Sequence, residues 1–180
     1  MKEMVRYGTV LAIICVVASG SLAIVNAVTR PKIIAQAQAE EEMSLKEVFP
    51  EGAKFDPVKS GEGIVYYKVF GRDDKVIGIV FKAQGKGYSS IVETMAGMKL
   101  DGTITSIKIL NQNETPGLGA NVIEPSFTDR FKGKDIPGLN NVQAITGATI
   151  SSKAVIDSVK KKAEELKPLI AEFAKNAKSK

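Results

Sequence analysis

The sequence contains no histidine and only one cysteine, Cys15. Without histidine, the chain cannot form a Ser-His-Asp triad, a histidine-containing metal site or a histidine-ligated haem. A single cysteine excludes a disulfide within the chain and any iron–sulfur cluster whose ligands all come from this chain. If the protein carries electrons, an organic cofactor therefore has to hold them.

The length and charge of the chain limit its organisation. Its 180 residues suffice for one modest domain and an appendage, and they are too few for two ordinary domains. The formal net charge of +5 is the feature that could suggest nucleic acid as a partner. The lysines concentrate between Lys160 and Lys180, which is typical of a solvated helix face, so we expect no nucleic-acid binding.

An uncharged run extends from Tyr7 to Val28. A helix rises about 1.5 Å per residue, so this run could span a hydrocarbon core of roughly 30 Å, and it predicts a transmembrane helix. A secretory signal peptide is the alternative, because Lys2 and Arg6 precede the run and residues 35–40 (AQAQAE) offer cleavage sites. The apolar region of a signal peptide covers only about 7–15 residues, so the longer run favours an uncleaved anchor.

The predicted organisation has three parts. These are a cytoplasmic tail and transmembrane anchor over residues 1–30, an acidic linker over 31–43 and an exported domain over 44–180. Basic residues on the two sides of the anchor are nearly balanced, so charge alone does not give its orientation. A short basic tail normally stays in the cytoplasm, while a long following domain is translocated largely regardless of its charge. We therefore expect a single-pass protein of the cell membrane with its C-terminal domain on the extracytoplasmic side.

Hydrophobic alternation predicts four antiparallel strands in the exported domain. The runs 63–70 and 76–83 are separated by a hairpin-sized connection. The runs 91–100 and 103–110 are joined by an Asp-Gly dipeptide, which two-residue hairpin turns favour. Together the four runs predict an antiparallel sheet.

The last part of the sequence predicts one long helix. Apolar residues recur at helical spacing from Val155 to Phe173, so one helix face should pack on the sheet. Ser151 or Ser152 is the expected N-cap, and Pro168 should kink or break the helix. The predicted fold class is therefore α+β, with an N-terminal transmembrane helix followed by one domain that has an antiparallel sheet and a long C-terminal helix.

Two short segments contain candidate functional residues. Residues 114–119 (ETPGLG) lie in a long Gly/Pro/Asn-rich stretch, and their glycines would let the backbone approach a planar ligand, although the composition alone favours an ordinary turn. Residues 146–152 (TGATISS) bring hydroxyls and small side chains to the start of the last helix. Unpaired N–H groups and the helix dipole make such a position favourable for an anion, and simple capping is the alternative explanation.

Taken together, these segments resemble a known family. Over nearly its whole length the chain is similar to the FMN-binding G subunit of Rnf-type electron-transport complexes, and to the related C subunit of sodium-translocating NADH:quinone reductase. In chain order, the shared features are the N-terminal anchor, LKEVFPEGAKF, GYSSIVETMAGMKLDGTI, ETPGLGA, FTDRFKGK and TGATISS. The modest length is more typical of the Rnf subunit.

The resemblance implies a covalently bound cofactor. In that family the second threonine of the [ST]GAT motif is esterified to the phosphate of FMN, and the match places this bond on Thr149. Glu114, Thr115 and Leu118 would line the flavin pocket, with Leu118 against the isoalloxazine ring. The expected cofactor-binding residues are Glu114, Thr115, Gly117, Leu118, Gly119, Gly147, Ala148, Thr149, Ile150 and Ser151. Tyr88 and Lys134 are two further candidates.

One position departs from the family pattern. The family usually has Asp three residues before the [ST]GAT motif, where this sequence has Gln143. If the enzyme that attaches the flavin needs that carboxylate, modification of Thr149 would be inefficient, unless the transferase of this lineage accepts an amide.

The resemblance also implies a function and partners. A flavin transferase would attach FMN from FAD, and the phosphoester would make the chain a phosphoprotein. The chain would be an electron-transfer subunit of a membrane ion-translocating ferredoxin:NAD oxidoreductase complex, working with other membrane subunits rather than as a complete enzyme. Three alternatives stay open: the equivalent subunit of a sodium-translocating NADH:quinone reductase, a non-redox membrane-anchored binding module, and an independent flavoenzyme, which the lack of an evident acid–base set disfavours.

Overall fold

The computed structural model describes residues 2–60 and 63–178. The chain divides into two compact units, Met1–Glu42 and Met43–Lys180. Helix α1 (Lys2–Val48) forms the first unit over residues 2–42, and its last residues, 43–48, belong to the second unit. The apolar stretch of α1 is long enough to cross a membrane, and none of it is buried in the structure, so it is not a core helix. An exposed apolar helix of this kind is suited to a lipid environment.

The predicted linker over residues 31–43 is part of α1 in the structure. Pro31 lies inside the helix without ending it. The alanines, glutamines and glutamates that follow have high helix propensity, which accounts for the regular conformation of this segment. The helix ends at Val48, two residues before Pro50, as expected from the bias of the residue before proline away from helical angles.

The second unit contains one antiparallel sheet of five strands in the order β1-β2-β3-β4-β5. The strands are β1 (Lys54–Ser60), β2 (Gly63–Phe70), β3 (Val76–Lys86), β4 (Ile91–Lys99) and β5 (Ile104–Asn111). The predicted antiparallel sheet is confirmed, and β1 is an additional strand that the sequence pattern did not indicate. Its Pro57 argues against a central strand, and an edge strand such as β1 accommodates proline.

The long stretch after β5 consists of irregular segments and short helical turns. It contains the helix α2 (Pro125–Thr128) and the 3-10 turns Gly119–Ile123, Asp129–Phe131 and Pro137–Asn141. Each of these turns contributes a buried apolar side chain to the core: Val122, Phe127, Phe131 and Leu139. The stretch is therefore held in place by the core that it helps to form.

Helix α3 (Thr149–Lys178) packs on one face of the sheet, and its predicted apolar stripe is confirmed. The stripe residues are buried in or packed against the larger core cluster: Val155, Val159, Ala163, Leu166, Ile170 and Phe173. The expected break at Pro168 does not occur, since the helix continues to Lys178. Leu166 and Ile170 are buried on either side of this exposed proline and anchor both parts of the helix.

Residues 44–49 cover the other face of the sheet. Val48 and Phe49 pack with a smaller cluster that includes Val80 and Met95. Gly78 on β3 leaves room for the Phe49 ring, because a Cβ at that position would lie 2.5 Å from Phe49 Cε2. Apolar side chains therefore pack on both faces of the sheet.

Candidate functional site

A cleft of about 420 Å³ opens at the N-terminus of α3. It is lined by Tyr88, Glu114, Thr115, Leu118, Gly119, Gly147, Ala148, Thr149, Ile150 and Ser151. Its volume lies in the range of roughly 300–1,000 Å³ that is usual for small-molecule sites. A groove of about 500 Å³ between β2, β3 and α3 contains none of the predicted site residues.

The two segments singled out in the sequence meet in this cleft. All the predicted cofactor-binding residues line it except Gly117. Gly117 has a φ of +75°, and a Cβ at this position would meet open space. Glycine is therefore needed there for the turn and not for a close contact. Of the two further candidates, Tyr88 lines the cleft and Lys134 does not. The backbone of Lys134 instead pairs with Ile104 on β5.

Thr149 is the first residue of α3, and it is exposed. The N-cap position falls on Ala148, whose carbonyl accepts a 2.9 Å hydrogen bond from the Ser152 N–H. The first N–H groups of a helix have no carbonyl partner within it, and the helix dipole adds partial positive charge there. The hydroxyl of Thr149 therefore lies where a phosphate would be stabilised.

The expectation that Ser151 or Ser152 caps α3 is wrong, because both lie inside its first turn. Ser151 Oγ donates a hydrogen bond to the Glu114 carboxylate. Ser152 Oγ accepts a 3.0 Å hydrogen bond from the N–H of Ile145. Both serines are buried, so these tertiary partners take the hydroxyls that capping would otherwise use.

Exposed apolar side chains surround the mouth of the cleft. Leu118 is 49% exposed, Ile150 is 55% exposed and Tyr88 is 73% exposed. Gly119 and Gly147 also line the cleft, and they have no side chains to fill it. A planar aromatic ligand would cover this apolar surface, whereas the helix N-terminus nearby would hold an anionic group. These features fit a flavin ring joined to a phosphate.

The Glu114 carboxylate is turned into the protein. Its Oε1 accepts hydrogen bonds from the N–H groups of Ser89 (3.0 Å) and Ser90 (2.9 Å) and from Ser90 Oγ (3.2 Å). Its Oε2 accepts from the N–H of Tyr88 (3.0 Å) and from the hydroxyl of Ser151. Sequence reasoning missed Ser89 and Ser90, although both belong to the GYSS part of the family resemblance.

These hydrogen bonds set the ionisation of Glu114. Burial on its own would raise the pKa of the carboxyl group. The hydrogen bonds from the Ser151 hydroxyl and from the backbone of Ser90, Ser89 and Tyr88 outweigh burial and lower the pKa of Glu114 to about 2. The carboxylate is therefore ionised at neutral pH.

Gln143, the position that departs from the family pattern, lies outside the cleft and is exposed. Its backbone carbonyl accepts a 2.7 Å hydrogen bond from Arg130 Nη1. Arg130 Nε also donates to the carbonyl of Ser126 (2.8 Å). The arginine thus ties the segment before Thr146 to the turn that contains α2.

Both the N-terminal helix and the C-terminal domain of the chain are similar to known proteins. Residues 87–164 match the FMN-binding domain, and residues 1–48 match the RnfG N-terminal region. The G subunit of the ion-translocating oxidoreductase complex of Methanosarcina acetivorans is 32% identical, over 88% of this chain and 92% of its own length. The G subunit of the proton-translocating ferredoxin:NAD(+) oxidoreductase complex of Clostridium ljungdahlii is 34% identical, over 87% and 88%. The crystal structure of Shewanella oneidensis NqrC is 20% identical, with a TM-score of 0.47 over 67% of this chain and 74% of that chain.

Proposed function

Because this chain belongs to the family of G subunits of ion-translocating oxidoreductase complexes, we propose that it carries FMN on Thr149 and transfers electrons within a membrane ferredoxin:NAD oxidoreductase complex. The match to the FMN-binding domain covers residues 87–164, and this range contains every residue that lines the cleft. The cleft is thus the part of the domain where FMN would bind.

The observation that carries this proposal is the position of Thr149. Its side chain is exposed, lines the cleft and belongs to the first residue of α3. A phosphodiester keeps about one negative charge, which the first N–H groups and the dipole of the helix stabilise. No other residue of the TGAT segment combines a hydroxyl with a place in the lining of the cleft.

Attachment of FMN would proceed as a phosphoryl transfer. The Thr149 oxygen would attack the phosphorus on the FMN side of FAD, so that a new O–P bond forms and the bond to the AMP portion breaks. AMP leaves, and the hydroxyl proton passes to the transferase or to water. A separate flavin transferase would supply the general base, because Glu114, the carboxylate that lines the cleft, already accepts hydrogen bonds on both of its oxygens.

The remaining lining residues would orient the ring. Leu118, Ile150 and Tyr88 offer apolar surface, and the absence of side chains at Gly119 and Gly147 leaves room for a flat group. Bound FMN exchanges one or two electrons, whereas the protein supplies binding, orientation and electrostatics. A covalent bond would keep the cofactor from being lost to the surrounding medium.

The proposed location follows from the anchor. We assign residues 1–30 to a cytoplasmic tail and transmembrane helix, 31–43 to a linker and 44–180 to an extracytoplasmic FMN domain. The short basic tail and the uncharged apolar run of α1 support this orientation. The relatives named above are subunits of complexes, which supports membrane partner subunits for this chain as well.

The attachment site is tested by intact mass. The full-length protein would be coexpressed with a flavin transferase as wild type, as Thr149→Val and as Thr128→Val. Thr128 is a matched control, because it is a threonine of the same domain that lies outside the TGAT motif and does not line the cleft. We expect the mass of one FMN residue to be added to the wild type and to Thr128→Val, and to be absent from Thr149→Val. Flavin retained by Thr149→Val would refute the assignment.

Membership in a complex needs a separate experiment. A tagged full-length chain would be purified from native membranes in mild detergent, and the copurifying proteins would be identified by mass spectrometry. We expect multispanning membrane subunits to copurify in fixed proportion. A yellow protein that purifies alone would instead indicate an independent flavoenzyme.

A further inference from the structure

We propose that Glu114 is the positioning residue of the cleft, whose carboxylate holds three separate chain segments together instead of contacting the flavin. This inference deepens the proposed function and rests on it for the role of the cleft. The contacts themselves belong to the protein alone, so they can be tested without a cofactor.

The protein itself uses the hydrogen-bonding capacity of the Glu114 carboxylate. An ionised carboxylate offers about four acceptor positions on its two oxygens. Three backbone N–H groups, from Tyr88, Ser89 and Ser90, and the hydroxyls of Ser90 and Ser151 donate to it. These donors occupy the acceptor positions, so no position remains for a polar group of the flavin.

The donors to the Glu114 carboxylate come from separate parts of the chain. Tyr88, Ser89 and Ser90 form the connection between β3 and β4, whereas Ser151 belongs to the first turn of α3. Glu114 begins the ETPGLG segment itself. The residues that line the cleft come from these three segments and from Gly147 and Ala148, which directly precede α3. The Glu114 side chain thus joins its own segment to the two others.

Two glycines leave space for the Glu114 carboxylate. A Cβ at Gly87 would lie 2.6 Å from Glu114 Oε1, and a Cβ at Gly119 would lie 2.8 Å from Oε2. Real Cβ atoms do not approach other atoms this closely, so both positions need glycine for the carboxylate to fit. Gly119, which the sequence suggested for close approach to a ligand, therefore has a second reason to lack a side chain.

The proposal predicts how the flavin-free protein behaves. Full-length protein prepared in detergent without a flavin transferase would be compared as wild type, Glu114→Gln and Glu124→Gln by amide hydrogen exchange. Glu124 is a matched control, because it is exposed and its side chain caps no helix. In Glu114→Gln the amides of residues 88–90 should exchange about tenfold faster, since hydrogen bonds to a charged acceptor are lost. Unchanged exchange at these amides would overturn the proposal.

A spectroscopic measurement separates positioning from simple structural support. With the transferase present, visible-region circular dichroism per attached flavin reports how firmly the protein fixes the ring. In Glu114→Gln we expect the flavin to be attached, as seen by intact mass, but most of the visible-region dichroism to be lost. Glu124→Gln should match the wild type in both measurements. A full signal in Glu114→Gln would show that the carboxylate does not position the flavin.

A second variant keeps the test decisive if Glu114→Gln does not fold. Ser151→Ala removes one donor and leaves the carboxylate and its backbone donors in place. It should show the same changes at residues 88–90 and in the dichroism, with smaller amplitude; unchanged values would overturn the proposal. Failure of the proposed function would look different, because the wild type would then gain no mass while the hydrogen-exchange result would stand.

Discussion

Gly147 lies against the side chain of Leu118: a Cβ built on Gly147 would sit 3.4 Å from Leu118 Cδ2. This contact joins the TGAT segment to the ETPGLG segment at the cleft. Gly147 also has a φ of +81°, a conformation that residues with a side chain rarely adopt. Glycine at this position therefore serves the turn before α3, whereas a Cβ would only come into ordinary van der Waals contact with Leu118.

The first prediction concerns Gly147→Ala. The added methyl group should lower the free energy of unfolding by about 1 kcal/mol through the backbone conformation, and it would stand in the wall of the cleft next to Leu118. Gly133→Ala is the matched control, because Gly133 has a φ of +70° with open space around it. Denaturant unfolding should show similar losses for both variants, whereas only Gly147→Ala should reduce the fraction of protein that carries FMN. Equal flavin losses in the two variants would argue against a role of Gly147 in the cleft.

The second prediction concerns a buried hydroxyl in the sheet. Thr94 on β4 is fully buried, and its Oγ1 has no hydrogen-bond partner within residues 2–60 and 63–178. Its strand neighbours, Ala83 and Ile109, are apolar. Thr94→Val replaces the hydroxyl with a methyl group of similar size, so the free energy of unfolding should rise by about 1 kcal/mol.

Thr105→Val should change the free energy of unfolding in the opposite direction. The Thr105 hydroxyl donates a hydrogen bond to the carbonyl of Val48, so its removal should lower the free energy of unfolding by about 1 kcal/mol. Both variants would be measured by denaturant unfolding of the full-length protein in detergent. A loss of stability in Thr94→Val would mean that its hydroxyl has a partner, such as a buried water.

The third prediction concerns acid stability. The pKa of Glu114 is lowered from 4.5 to about 2 in the folded protein, so the unfolded chain binds this proton more tightly. The carboxylate therefore contributes stability that is fully present above about pH 4.5 and is lost as the pH falls towards 2. The difference in unfolding free energy between wild type and Glu114→Gln should shrink over this range. A difference that is independent of pH would contradict the lowered pKa.

The regular parts of the fold could be predicted because their apolar residues repeat with the period of the element. The stripe from Val155 to Phe173 indicated the packing face of α3, and alternation indicated β2 to β5. Strand β1 could not be found in this way, because Pro57 interrupts its pattern and edge strands bury little. The start of α3 was misplaced, since Glu114 and the Ile145 N–H engage the two serines that looked like caps.

For the site as well, features with a local cause could be predicted from the sequence, and contacts between distant residues could not. The two motifs indicated the lining of the cleft, because glycines and hydroxyls at a helix start have a local physical meaning. The turn at Tyr88 to Ser90 could not be connected with Glu114 from the sequence. The acceptor lies 24 to 26 residues from its backbone donors, and no pattern in the chain marks that pairing.

The last prediction concerns Arg130, which supports the segment before Thr146. Its Nε and Nη1 donate to the carbonyls of Ser126 and Gln143, at 2.8 and 2.7 Å. A lysine ammonium on its flexible stem cannot reproduce the planar geometry that bridges both carbonyls. Arg130→Lys should therefore lower the free energy of unfolding by about 1 kcal/mol, measured by denaturant unfolding. Arg72→Lys, in the exposed β2–β3 turn, should leave it unchanged. Equal effects of the two substitutions would show that the bridge contributes nothing to stability.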